Sequence, residues 1–598
     1  MESPSSDFIQ QRINQNAGIN VLCESSLESF LLPDNESESI QWKLLDICGH
    51  SLPDRSYAME LINTVYNIYC IEYYLIDMNE LLPLVDEIYD IFDYNGRDSL
   101  SIRYHDLSKR VNHKSLCYFF IILAFGEQLQ NRLPVSKNRR QLEVERLIPG
   151  IEYYILASQL FHLTREELDY EFIQSAILLA FYSANLNRYN TVYNYIGVAI
   201  RSVLAKGYHR QRLGNTMMSE EEVVGIKKDI EKLKRLFWTV FVIETAWGVN
   251  RMSLPVHINY VDTDVDLPNE NAYDLGDPFN SEMLEVNVHL AKYVSKYLRL
   301  IYGPHIRTFS INYINTDQFN KKLLIKNIVE CLHNLINDFE QPFLTRYNSK
   351  NFIQTDGRAL ANLFVRYHQL IISITKPLLT VVFNKNSLSL IENPQVVHAA
   401  ISKGISAACW TVEILLKLHE CGKLFIMGFW DSQHLFSALI MIILSSLSGN
   451  RYSPLDRGVA LLKYMADQNN VNAQNGMKKL KQINEFLKTT PDVDLVLDLD
   501  SKIEHFVQAD PRDYGKSKNI HTRMSSAIFM TDQRKNKSSQ SSHRNPMRAT
   551  EPLLINIDPE PKLFTNDGIE KFSDYSQDLL DSMINTIQSW DNAVVSKS

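Results

Sequence analysis

The chain has 598 residues, 45% of them hydrophobic, with a formal net charge of −9 and a pI near 6.0. That apolar content can fill a large core, and the acidic balance excludes a surface that is nucleic-acid or membrane footprint throughout, so any DNA contact must be local. Seven cysteines, at 23, 48, 70, 117, 331, 409 and 421, form no CxxC pair, which argues against a disulfide framework or a thiolate zinc site and fits a reducing compartment.

Residues 1–40 are rich in Ser, Asn, Gln and Glu without a sustained period and are predicted to be a disordered tail. The N-terminus lacks the apolar stretch of a signal peptide, and the longest oily run, 435–447, is too short to cross a bilayer, so a soluble intracellular protein without a membrane partner is expected. From 41 to 509 apolar residues recur every three or four positions, as in EFIQSAILLAFYSANL, NTVYNYIGVAIRSVLAKG and FSALIMIILSSL. This is the helical period, and strand-like alternation is scarce, so the fold class is all-α: one large multi-helix domain punctuated at Pro149-Gly150, Gly207, Pro268 and Pro454. No fixed repeat indicates a solenoid.

One helix is predicted over 230–251, with Ile230, Leu233, Phe237, Val240, Phe241 and Trp247 on one face and Trp238 flanking that stripe. Glu231 and Arg235 can pair four residues apart. Glu244 falls on the apolar face and needs a partner, for which Arg201, Arg210 and Arg251 are candidates. Gly197 can admit a close helix approach, and Gly207 is placed to end its helix in a left-handed cap. Asp262, Asp264 and Asp266 alternate like a calcium loop, but Leu267 stands where the sharp-turn glycine belongs and Tyr273 where the last glutamate belongs. Paired-carboxylate catalysis is the other chemical reading of these acids. A loop capping or pairing with basic neighbours, its exit extended by Leu267-Pro268, is the preferred one. His419 and Cys421 make only half a metal site. Trp410, Phe425, Phe429 and Trp430 read as core aromatics, with a ligand pocket as the alternative.

Residues 510–550 are polar and basic and read as a linker, in which Arg534, Lys535 and Lys537 are a candidate import signal. Residues 551–598 reverse the sign. There Leu579, Leu580, Met583, Ile584 and Ile587 form an apolar stripe between Tyr575 and Trp590, set among acids, the pattern of a segment that docks as an amphipathic helix in a partner's groove. This is a candidate activation segment, with a C-terminal helix packed on its own core as the alternative. No G-x-G-x-x-G, G-x-x-x-x-G-K-[ST], H-E-x-x-H or G-x-S-x-G is present, and no catalysis is expected.

Three blocks, in this order, resemble the regulatory (middle homology) region of fungal transcription factors of the binuclear zinc cluster family. They are LCYFFIILAFGEQL followed by IPGIEYYILASQLF; the paired-helix block 173–212 that ends in Gly207 and the triplet Tyr208, His209 and Arg210; and 233–268, from Lys234, Arg235, Phe237 and Trp238 to the aspartates and Pro268. The family commonly has Gly-Arg-Pro where this chain has MSLP at 252–255, and an aspartate-arginine pair in place of Glu244-Thr245. The family's six-cysteine DNA reader is missing from this sequence, so zinc is expected only with an N-terminal zinc cluster, and no cofactor is expected in this chain. The resemblance implies a nuclear transcriptional regulator, with DNA as a partner reached through a zinc cluster or another protein. It also implies transcription machinery or a coactivator docked on the acidic tail, and a homodimer is left open. Two alternatives stand beside it: a structural subunit of a DNA-bound, centromere-like complex, and an enzyme with an unrecognised all-helical site.

Overall fold

The computed structural model describes residues 47–92, 112–130, 148–164, 168–211, 220–250, 258, 260–269, 279–302, 318–347, 358–382, 394–447, 452–489 and 495–499. The N-terminal tail, the basic linker, the acidic tail with Tyr575 to Trp590, Arg251 and the MSLP turn lie outside the described residues. Among the described residues from Arg55 onward there are fifteen α-helices and no strand. The first seven are α1 (Arg55–Tyr69), α2 (Met78–Phe92), α3 (His113–Gln130), α4 (Ile151–Phe161), α5 (Tyr170–Asn185), α6 (Tyr189–Ala205) and α7 (Glu220–Asn250). Then come α8 (Ser281–Tyr302), α9 (Gln318–Leu335), α10 (Gln341–Arg346), α11 (Arg358–Val382), α12 (Pro394–Glu420), α13 (Phe429–Ser446), α14 (Pro454–Asp467) and α15 (Val471–Thr489).

Side chains that start helices here follow the rule that an Asx oxygen takes an orphaned first-turn N–H. Asn112 caps α3, Asp169 caps α5, Asn280 caps α8 and Asn470 caps α15, at 2.8–3.1 Å. Gly207 ends α6 at φ +68°: its N–H bonds to Leu204 O at 3.0 Å and that of Tyr208 to Val203 O at 2.9 Å, a Schellman pair closed by the buried Val203 and Tyr208. In α11, Pro377 has no N–H to give Ser373 O, and the Tyr302 hydroxyl donates to that carbonyl instead, at 2.7 Å.

Two apolar cores result. The N-terminal core is built on α3, whose residues 115–125 are all buried because α1, α4 and α5 surround it, which is why its sequence is oily on every side. The C-terminal core gathers α9 and α11–α15. α8 belongs to both: Met283, Val286, Leu290 and Val294 face the C-terminal core while Leu284, Val288 and Ala291 face the N-terminal one. Each set repeats at helical spacing, so one helix carries two apolar stripes. α12 is long and apolar enough to cross a membrane, yet it packs against α11, α13 and α14 within the C-terminal core.

Pro149-Gly150 leads the chain into α4. Gly150 sits at φ +77°, and a Cβ there would lie 2.2 Å from the Ala124 carbonyl oxygen. Gly207 has a similar φ but open space around it. Gly150→Ala is therefore predicted to cost about 3 kcal/mol or more and Gly207→Ala about 1 kcal/mol, read as urea midpoints of the two variants. Equal losses would contradict the close approach at Ala124.

Candidate functional site

The triplet at the end of α6 and the aspartate loop meet. Asp264 and Val265 N–H both donate to His209 O at 3.3 Å. The Asp264 carboxylate accepts the Gln211 backbone N–H at 3.0 Å and lies 3.9 Å from Arg210, while Asp266 accepts from Gln211 Nε2 at 3.1 Å and lies 3.7 Å from Lys234. These carboxylates are more than half exposed, so their ion pairs contribute little. The anchors are deeper. Trp238, 2% exposed, donates its indole N–H to Asp266 O at 3.0 Å, and Val265 and Pro268 are buried. Glu231 and Arg235 form a buried pair at 3.5 Å; Glu231 also takes the Asn269 N–H at 2.8 Å, and the Arg235 guanidinium lies over the Phe279 ring. Asp262 is exposed at the end of a 3-10 turn, Tyr260–Asp262.

On α7, Leu233, Phe237, Val240, Phe241 and Trp247 are buried, and so is Trp238 on their flank, because Lys292 of α8 and the loop cover it. Glu244 is buried as well. The atoms nearest to a Cβ built at Gly197 belong to Arg201, one turn on in the same helix, rather than to a second helix. His419 packs on the Tyr464 ring at 4.7 Å, and Cys421 is partly exposed at the helix end.

A gathering of charge, its carboxylates buried and its guanidinia less than a fifth exposed, lies in the seam between the two cores, and sequence reasoning missed it. Arg358, Asn362, Arg366 and Gln369 are spaced four, four and three along α11 and share one face. Glu72, in the turn after α1 and 2% exposed, accepts from Asn362 at 2.6 Å and Arg366 at 3.0 Å. Arg366 also donates to Asn287 of α8 at 2.6 Å and covers the Tyr73 ring. Arg358 holds Asp431 of α13 through two bonds of 2.7 Å, and Asp431 takes the Phe425 N–H at 3.0 Å. Burial lowers the Arg358 pKa, but Asp431 beside it outweighs that and holds it above the ordinary value. Amides close the rest: Asn185 accepts the Phe429 N–H at 2.8 Å, and Asn472 donates to Ala184 O at 3.1 Å.

Two cavities flank this network. One is lined by Tyr69, Phe125, Phe181, Phe425, Phe429 and Trp430 beside the Arg358–Asp431 pair. Phe425, Phe429 and Trp430 thus come together, with Trp247 against the latter two rings, while Trp410 does not line it. The other cavity lies where α7, α8, α11 and α13 converge and includes Arg366, Gln369 and His434. Burial first, then the Arg366 and Arg358 charges, push His434 down to about 3.

That histidine predicts a pH signature. A neutral, buried His434 takes up no proton when the unfolded chain, near its ordinary 6.5, already does. Its contribution is therefore intact above pH 6.5 and is lost as pH falls from there toward 3. Between pH 7 and pH 5 it should remove about 2 kcal/mol, so the urea midpoint of His434→Gln should fall less over this interval than that of the wild type. Identical falls would show that His434 is protonated in the fold.

A family model, the fungal specific transcription factor domain, matches residues 71–340. Activator of stress genes protein 1 of Candida albicans is 29% identical over 227 residues, which is 37% of this chain and 21% of that protein. Activator of stress genes 1 of Saccharomyces cerevisiae is 28% identical over 218 residues, 36% and 20% respectively. An uncharacterized transcriptional regulatory protein of Schizosaccharomyces pombe is 22% identical over 352 residues, 57% and 41%. The matches with the two activators thus span about a fifth of their length. No solved structure matches the chain. The buried Trp238, the aspartate loop and the α6 cap fall inside the matched span, so the elements that the sequence singled out lie where the chain is similar to the fungal specific transcription factor domain.

Proposed function

We propose that this chain is a nuclear transcriptional activator of fungal type, in which the helical body controls the acidic segment 551–598. The observation that carries this reading is the family domain over 71–340, together with two relatives whose names describe activators of stress genes. DNA is the target, reached by a zinc cluster or through a partner, and the tail supplies the contact with the transcription machinery. The chemistry of the tail supports that contact. Acids keep Leu579, Leu580, Met583, Ile584 and Ile587 in water until a partner's groove takes them.

Tethering the full chain to a heterologous DNA-binding module beside a reporter tests this proposal. Output above the module alone is expected, as is output from 551–598 tethered by itself. Replacing Leu579, Leu580, Ile584 and Ile587 by alanine should return both to the level of the module. No rise from either fusion would remove the activator reading.

A further inference from the structure

The cavity at the convergence of α7, α8, α11 and α13 has the make-up of a binding site. It is open to solvent on one side and, counted with that opening, has a volume of about 460 Å³. Val242, Leu290, Ala291, Val294, Leu370 and Trp430 supply apolar walls from all four helices. Asn287, Arg366, Gln369 and His434 supply the polar part. Such a balance, mostly apolar with a few convergent polar groups at a junction of packed units, is that of small-molecule sites.

Charge decides the class of ligand. The Arg366 guanidinium is already matched by Glu72 at 3.0 Å and engaged by Asn287 at 2.6 Å, and neighbouring Arg358 is matched by Asp431. His434 is buried and neutral, so it offers one N–H donor and one nitrogen acceptor. Gln369, 6% exposed, gives its Nε2 to Ser437 at 3.0 Å, while its Oε1 is buried without a partner, which is costly unless a donor arrives. A ligand anion would have to compete with Glu72 for Arg366, and a cation would meet the Arg366 guanidinium with no carboxylate in the lining to hold it. We infer that this cavity binds a small, largely apolar molecule that carries one uncharged hydrogen-bonding group, a hydroxyl or an amide, donated to Gln369 Oε1. The polar group meets Gln369 on α11, and the apolar body lies along Leu290, Ala291 and Val294 of α8 and Val242 of α7. Because α8 serves both cores, the ligand is gripped by both. This binding is a property of the seam and does not rest on the transcriptional reading.

Ligand-observed saturation-transfer NMR on the full chain tests it with three ring probes of similar size: benzyl alcohol, toluene and benzoate. Benzyl alcohol should bind saturably and more tightly than toluene or benzoate by roughly three- to tenfold, the worth of one net hydrogen bond. Gln369→Leu should bring benzyl alcohol to the toluene level and leave toluene unchanged. Ala291→Phe, which fills the cavity, should abolish saturable binding of both while the helical circular dichroism stays that of the wild type. No saturable benzyl alcohol signal from the wild type would overturn the site. So would binding unaffected by Gln369→Leu, or benzoate as the tightest probe.

Discussion

Glu72 reaches Arg366 across 294 residues of chain, and that largely buried contact, with Arg358–Asp431 beside it, is what the arrangement of the two cores depends on. Apolar stripes explain why each core forms, since burial is favourable and has no direction. They do not say how the cores sit together, because one oily face accepts another in several registers. Buried charges do. A guanidinium withdrawn from water tolerates only a position that returns its hydrogen bonds, and losing one member of such a pair typically costs about 3–5 kcal/mol. The amide bonds of Asn185, Asn287, Asn362 and Asn472 extend this constraint along the seam. The seam is thus selective in geometry where the cores are permissive.

α8 makes the constraint global. Its two stripes commit different faces of the same turns to different cores, and its Asn287 is the polar point at which α11 is read. A displacement of α11 against α1 would have to break Glu72 from Arg366 and Asn362 together. The family span ends at 340, before α11 begins, so Glu72 lies inside it and Arg358, Arg366 and Asp431 lie outside. The helices after that span therefore complete the charge balance of a turn within it.

The helical period made α5, α6 and α7 legible: of the stripe that spacing marks, Leu233, Phe237, Val240, Phe241 and Trp247 are buried and Ile230 is half-buried. Gly207 was legible too, because a glycine after a long apolar period has few other uses. The spacing left Trp238 on a flank; it is buried because a loop some thirty residues later gives it a carbonyl to bind, and no local pattern announces that bond. The aspartates drew attention as acids, yet backbone bonds to His209, the Trp238 indole and the buried Val265 and Pro268 hold their loop. The polar face of α11 was illegible for a similar reason: Arg358, Asn362, Arg366 and Gln369 look like the solvent side of an amphipathic helix until Glu72, Ser437 and Asp431 are placed against them. Partners distant in sequence convert a surface pattern into a buried one.

The claim that paired charges weld the cores into one cooperative unit is tested most directly by calorimetry of the full chain against a variant carrying Glu72→Leu, Arg366→Met, Arg358→Met and Asp431→Leu. The wild type should unfold the described helices in a single transition, and the variant should split it into two, one for each core. Two transitions in the wild type, or one undivided transition in the variant, would contradict the account.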